Sequence, residues 1–204
     1  ITTLTLDFTT SGIKVFFDES ATQVRVEYAE KYTKKGKQLT QTTVTEENGE
    51  LKIKQVRKRI LHMDFSIGES SLVSVYLPKS RTYALNIETD TGNVWLNGTA
   101  TLTNLNIKTD TGAIDLGLAT VNCSGDISLS TDTGNILTLT LTAENLYIEV
   151  DTGNVTLNGK VTVRKNAEIE TDTGNVSAST DFSVGSNLYI ETDTGNVYLG
   201  NISG

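Results

Sequence analysis

A five-residue string, Thr-Asp-Thr-Gly-Asn, recurs with small changes six times between Thr89 and Asn196. The second copy ends in Ala113 and the fourth opens on Val150; the other four are intact. The glycines, Gly92, Gly112, Gly134, Gly153, Gly174 and Gly195, lie 20, 22, 19, 21 and 21 residues apart. Self-similarity at a period of this size marks a solenoid, in which each repeat packs only on its neighbours.

Between copies the residues alternate apolar and polar with period two, the mark of half-buried strands. A strand before the string carries Leu85/Ile87, Leu105/Ile107, Ile127/Leu129, Leu146/Ile148, Ala167/Ile169 and Leu188/Ile190. A second follows the string, as in Val94/Leu96 and Val155/Leu157. A third comes next, as in Ala100/Leu102, Leu139/Leu141 and Val161/Val163. Asn104, Asn145, Asn166 and Asn187 precede the next first strand and mark another corner. Three strands and three corners in about 21 residues predict an all-β chain: a three-sided, single-stranded β-helix, a solenoid of right-handed winding. No rung buries its own apolar side chains, so the core exists only where rungs stack.

Within the string, each glycine is expected at the φ > 0 position of a tight corner. Asp90, Asp110, Asp132, Asp151, Asp172 and Asp193 are expected to accept hydrogen bonds from backbone N–H groups of the turn. Stacked at about 4.8 Å, neighbouring carboxylates repel by about 332/(80 × 4.8), or roughly 1 kcal/mol in water. A hydrogen bond to a charged group contributes about 1.5–3 kcal/mol, so the ladder needs no metal. Parity points both threonines of a string inward, Thr89 and Thr91 for example.

Charge divides the chain. Residues 1–84 hold 13 Lys and Arg against 10 Asp and Glu, a balance of +3, and residues 85–204 hold 4 against 15, a balance of −11. So few cations on an acidic array argue against a nucleic-acid partner. The single cysteine, Cys123, excludes an internal disulfide and reads as a small core or corner residue. No apolar run is long enough for a transmembrane helix. The chain opens at Ile1 without a signal peptide, so membrane attachment is expected only through segments outside it.

Residues 1–84 lack the string but carry strands of their own: Leu4/Leu6/Phe8, Ile13/Val15/Phe17, Val24/Val26/Tyr28, 39–44, Leu51/Ile53 and 72–77. Glu47-Asn48-Gly49-Glu50 signals a hairpin. The run 31–37, rich in lysine, reads as an exposed loop, and Arg57-Lys58-Arg59 as a solvated edge. One continuous domain is expected, with irregular N-terminal rungs, a cap and a hairpin extension over 1–84 and regular rungs over 85–204. A cap is needed because a bare end exposes apolar side chains and unpaired strand edges.

Five stretches carry a resemblance: Val24-Arg-Val-Glu-Tyr28, Gly49-Glu-Leu-Lys-Ile53, Val73-Ser-Val-Tyr-Leu77-Pro78-Lys79, Leu85-Asn-Ile-Glu-Thr89 and the repeated Thr-Gly-Asn-Val turns. In this order, over essentially the whole chain, they resemble the bacterial putative adhesin domain family of cell-envelope β-solenoids. The resemblance implies a bacterial protein that is exported and held at the cell surface or membrane. It brings no catalytic residues.

A polysaccharide-degrading enzyme on this scaffold would need an acid/base cluster in a groove. The repeats offer only Lys108, Lys160, Arg164 and Lys165 as cations, and the lone histidine, His62, falls outside them. The reading is therefore a non-enzymatic interaction or scaffolding protein without a cofactor. A calcium-stabilised binding module is the alternative, with ions bridging the aspartates and Glu88, Glu149, Glu170 and Glu191. The glycine-rich nonapeptide of calcium-binding β-rolls is absent, however, and no metal is expected. Threonine rows suit an ice-binding face, but inward parity counts against one here.

The candidate ligand surface is the outward column Asn86, Asn106, Ser128, Tyr147, Glu168, Tyr189. Tyr147 and Tyr189 stand two rungs apart, about 9.6 Å at strand spacing, close to the length of two sugar units. Glu168 lies between them. A cell-wall glycan, or another surface protein, is the partner this column predicts.

Overall fold

Twenty strands and no helix make up the described residues, 1–32, 38–58, 71–178 and 181–204, of the computed structural model. Much of the lysine-rich loop, Arg59 and His62 lie outside them. The first half contains β1 (Thr3–Phe8), β2 (Ser11–Asp18), β3 (Arg25–Glu27), β4 (Thr40–Glu47), β5 (Glu50–Arg57) and β6 (Ser71–Pro78). The repeats begin with β7 (Tyr83–Thr91), β8 (Val94–Thr111), β9 (Ile114–Cys123), β10 (Ile127–Thr133) and β11 (Ile136–Ala143). Three regular rungs complete the chain. They are β12 (Leu146–Thr152), β13 (Val155–Leu157) and β14 (Val161–Val163); β15 (Ala167–Thr173), β16 (Val176–Ala178) and β17 (Phe182–Val184); and β18 (Leu188–Thr194), β19 (Val197–Leu199) and β20 (Ile202–Ser203).

The chain is a β-solenoid of three faces. The first face stacks β5, β1, β7, the end of β8, β10, β12, β15 and β18 in parallel. The second stacks β6, β2, the start of β8, β9, β11, β13, β16 and β19. The third runs from the middle of β8 through β9, β11, β14 and β17 to β20. Registers match like with like. Ile107, Leu129, Ile148 and Ile169 align on successive rungs and are at most 2% exposed. Each such side chain contributes about 1.5–3 kcal/mol by leaving water, and only because the next rung covers it.

Threading at the N-terminal end is not a simple continuation. β1 lies between β5 and β7 and pairs in parallel with both, while β2 lies between β6 and β8. Residues 3–18 thus form an internal rung, held between strands that follow them in sequence. The layer beneath is closed by antiparallel strands, β4 on β5 and β3 on β6. Asn48 and Gly49, at φ 51° and 80°, make the two-residue turn between β4 and β5. Positive φ at both positions matches the twist of a hairpin. At the other end Val197, Leu199 and Ile202 align with Val176, Ala178 and Phe182, yet are 40, 42 and 44% exposed.

The corner motif works differently from the turn its sequence suggests. From Gly92 to Gly174 each glycine N–H donates to the threonine carbonyl of the following rung, as Gly112 does to Thr133 at 2.9 Å and Gly134 to Thr152 at 3.0 Å. Rungs therefore approach backbone to backbone. A Cβ on Gly134 would lie 2.0 Å from the Gly112 oxygen, and one on Gly153 would lie 1.8 Å from the Gly134 oxygen. Gly112, Gly153, Gly174 and Gly195 have φ of 152–157°, at the far edge of the range reserved to glycine, whereas Gly92 and Gly134 lie outside it. Crowding, not a left-handed turn, is what all six share.

Nor is the turn's acceptor the aspartate. The asparagine three residues later takes that role: Asn135 Oδ1 accepts from the Asn154 N–H at 2.8 Å, Asn154 Oδ1 from Asn175 and Asn175 Oδ1 from Asn196, both at 2.9 Å. Asp90, Asp110, Asp132, Asp151, Asp172 and Asp193 all face solvent. No hydrogen bond to their carboxylates is present among the described residues. The first threonine does point inward; Thr109 Oγ1 donates to the Gly92 carbonyl at 3.2 Å and Thr131 Oγ1 to that of Gly112 at 3.0 Å. The second does not. Thr91, Thr111, Thr133, Thr152, Thr173 and Thr194 are exposed, because the strand bends before the next alternation completes. This leaves one threonine row beside a row of carboxylates, too narrow and too charged for a flat ice-binding face.

One third-strand reading also shifts. Register slips in β11 between Thr138 and Thr140, so Thr138 takes the inward position and Leu139 is 41% exposed. The Thr138 hydroxyl is buried without a partner among the described residues.

Candidate functional site

The flat outer surface of the first face takes its order from the register beneath it. Parallel pairing sets Ser128 beside Tyr147, Tyr147 beside Glu168, and Glu168 beside Tyr189. With Ile148, Ile169 and Ile190 turned to the core, these side chains must point out. Tyr147 is 40% and Tyr189 49% exposed, so one aromatic stands on each side of the Glu168 carboxylate. The structure brings together all three residues named from sequence as a ligand surface.

Further along the same face the column continues through Asn106 and Asn86 to Thr5 and Lys52. Asn86, Asn106 and Ser128 are short, and between taller neighbours they leave a depression of about 370 Å³. A second depression of about 210 Å³ lies against Tyr147 and Glu168. The two share Ser128, Ser130 and Glu149 and so form one groove along the stacking direction. Its N-terminal end, Thr5 and Lys52, escaped the sequence reading, because nothing in residues 1–57 reveals that β1 and β5 join this face.

Electrostatics grade the groove from end to end. At the N-terminal end Lys54 pairs with Asp7 at 2.5 Å, and Lys108 is aligned between Glu88 and Ser130. Towards the C-terminal end Glu149, Glu170 and Glu191 align on successive rungs. Partial burial, and then the charges of Glu168, Glu191 and Glu149, push the Glu170 carboxyl above its ordinary value. Asp90 faces solvent, but partial desolvation at the strand end and then the charges of Asp110 and Asp7 raise it, against a lowering pull from Lys54. The Tyr189 hydroxyl donates to Glu191, which raises its pKa. Among the described residues no group of three or more His, Cys, Asp or Glu is arranged to hold a metal ion. Cys123 is buried, its thiol donating weakly to the Thr103 and Asp126 carbonyls, and burial pushes its pKa up.

Rungs stacked in parallel, with aligned columns of outward side chains along the first face, define a β-solenoid that displays its columns on its surface. The chain belongs to the Toastrack DUF4097 family, whose model matches residues 1–199. This agrees with the adhesin-domain resemblance of its strands and turns. Among solved structures, a protein of Clostridium sporogenes described as a "putative cell adhesion protein" is similar, at 14% identity and a TM-score of 0.48, with 99% of this chain and 92% of that chain covered. No curated protein matches the chain.

Proposed function

We propose that this chain is a non-enzymatic interaction domain of a bacterial cell surface, and that its first face holds an extended cell-wall glycan. The observation that carries the reading is the column Tyr147, Glu168, Tyr189, with its two rings exposed one rung to either side of a carboxylate. Exposed rings offer flat apolar surface to the C–H faces of sugars, and Glu168 accepts from hydroxyls. The adjoining groove, floored by Asn86, Asn106 and Ser128, offers donors and acceptors for more units of the same chain. Tyr147 and Glu168 stand on strands paired on both sides, and Tyr189 on the last strand of the face, so the column costs little further ordering when a ligand binds, which favours it over a loop.

Retention on purified cell-wall glycan tests the proposal. Wild type is expected to be retained, and the Tyr147→Ala/Tyr189→Ala variant to bind about tenfold more weakly, since two exposed aromatic anchors are removed. Neither ring is in the core, so the variant is expected to unfold at the same temperature as wild type. Equal retention of both proteins, or none of either, contradicts the assignment of this face; capture of a surface protein instead of glycan contradicts the ligand class.

A further inference from the structure

On the second face three aromatic side chains, Phe16, Tyr76 and Trp95, point outward from the N-terminal rungs. Phe16 of β2 stacks on Tyr76 of β6 with centroids 5.2 Å apart and planes 15° from parallel. Arg25 of β3 covers the other side of Tyr76 at 4.1 Å. On the next rung Trp95 of β8 is paired with Lys14 of β2, whose ammonium lies 5.1 Å from the indole centroid. Beyond Trp95 the register slips: Trp95 faces Asp115 of β9, but Asn97 faces Leu118. The extra residue belongs to the rung whose glycines are 22 apart. A bulge of this kind re-aims a side chain, and here it leaves Leu118 73% exposed. Asp115 Oδ1 accepts from the Gly117 N–H at 2.8 Å and fixes the bulge.

These residues enclose a cleft of about 300 Å³, with Phe16, Trp95 and Leu118 as apolar walls and Lys14, Asn97 and Asp115 as its polar groups. That is the size and composition of a small-ligand site: mostly apolar surface with a few placed donors and acceptors. The charges identify the ligand's class. One cation and one anion cancel within the cleft of a chain whose net charge is −8. Asp115 disfavours an anionic ligand and Lys14 a cationic one. A lipid would cover the Lys14 ammonium, the Asn97 amide and the Asp115 oxygen not bonded to Gly117 without offering them hydrogen bonds, at a desolvation cost. A neutral pyranose satisfies both halves, with its C–H face on the indole and its hydroxyls at the amide, carboxylate and ammonium. We infer that the cleft of Trp95, Phe16 and Leu118 is a binding site for a neutral pyranose unit, separate from the groove of the first face.

Trp95 is the only tryptophan in the chain, so its emission reports this cleft alone. The experiment titrates the full chain with cellohexaose, chitohexaose, maltohexaose and xylohexaose up to about 10 mM, the range of weak single-site affinities. A saturable change with at least one of them is expected. Leu118→Ala, at a position too exposed to affect folding, is expected to weaken that response about fivefold or more. Asn97→Ala is expected to do likewise, while Tyr147→Ala/Tyr189→Ala leaves it unchanged. No response to any of the four sugars overturns the inference. So does a response that survives both Leu118→Ala and Asn97→Ala, one that is lost in the tyrosine variant, or stronger binding of oligogalacturonate than of the neutral sugars.

Discussion

At the scale of the residue, asparagine proves to be the rung-to-rung connector. Asn93 Oδ1 accepts from the Ala113 N–H at 2.8 Å, but Ala113 has no side chain to pass the ladder on to Asn135. The ladder resumes at Asn135 and runs unbroken to Asn196. Ala113→Asn is therefore expected to stabilise the fold by about 0.5–1.5 kcal/mol, one net hydrogen bond, raising the unfolding midpoint by a few degrees in calorimetry. An unchanged or lower midpoint contradicts the ladder's role. The string Asp-Thr-Gly-Asn made this hard to read, because both Asp and Asn accept turn bonds. Only the register between rungs shows that Asn faces the next backbone while Asp faces water. Thr89 was legible from alternation; Thr91 was not, because alternation predicts nothing beyond the bend that ends β7.

At the scale of the element, alternation revealed which side of each strand meets the core but not which strand lies beside it. That is why the inward residues of β1 and β2 were legible while their insertion between β5/β6 and β7/β8 was not. The 22-residue spacing announced an irregular rung, and only coordinates place its extra residue beside Trp95. Phe16 and Tyr76 had left a trace as aromatics in the outward phase of Ile13/Val15/Phe17 and Val73/Val75/Leu77. In-register stacking also aligns like charges, and this sets a pH dependence. Glu170 and Asp90 titrate above their ordinary values in the fold, chiefly through burial and then through neighbouring carboxylates. An acid whose folded pKa is raised binds protons more tightly when folded, so its penalty is full at neutral pH and is relieved as pH falls through the folded pKa. Glu144 is opposite: bonds from Lys165 and Arg164 lower it, and its contribution is lost only at more acidic pH. The unfolding midpoint is expected to rise as pH falls from 7 into the range where Glu170 and Asp90 take up protons, then to fall at more acidic pH as Glu144 and the likewise lowered Glu30 are protonated. A midpoint that declines steadily from pH 7 downward contradicts the strained acidic columns.

At the scale of the whole molecule, the solenoid is a stack whose layers touch through glycine. The parallel faces, buried threonines and asparagine ladder all depend on rungs approaching until one glycine's α-carbon meets the carbonyl of the last. Such a stack is rigid because every internal strand is paired on both sides, and that rigidity holds its columns of outward side chains in fixed positions. The claim is separable from the alternative that glycine serves only a left-handed corner. Gly134 lies outside the positive-φ range and Gly153 has φ 152°, yet an added Cβ would meet a carbonyl oxygen at 2.0 Å in one and 1.8 Å in the other. The deciding measurement is thermal unfolding of Gly134→Ala and Gly153→Ala beside wild type. Stacking contact implies that both lose about 3 kcal/mol, or roughly 6–12 °C in a chain of this size. A Gly134→Ala protein that unfolds with wild type while Gly153→Ala falls would contradict it, and would return the motif to a simple turn.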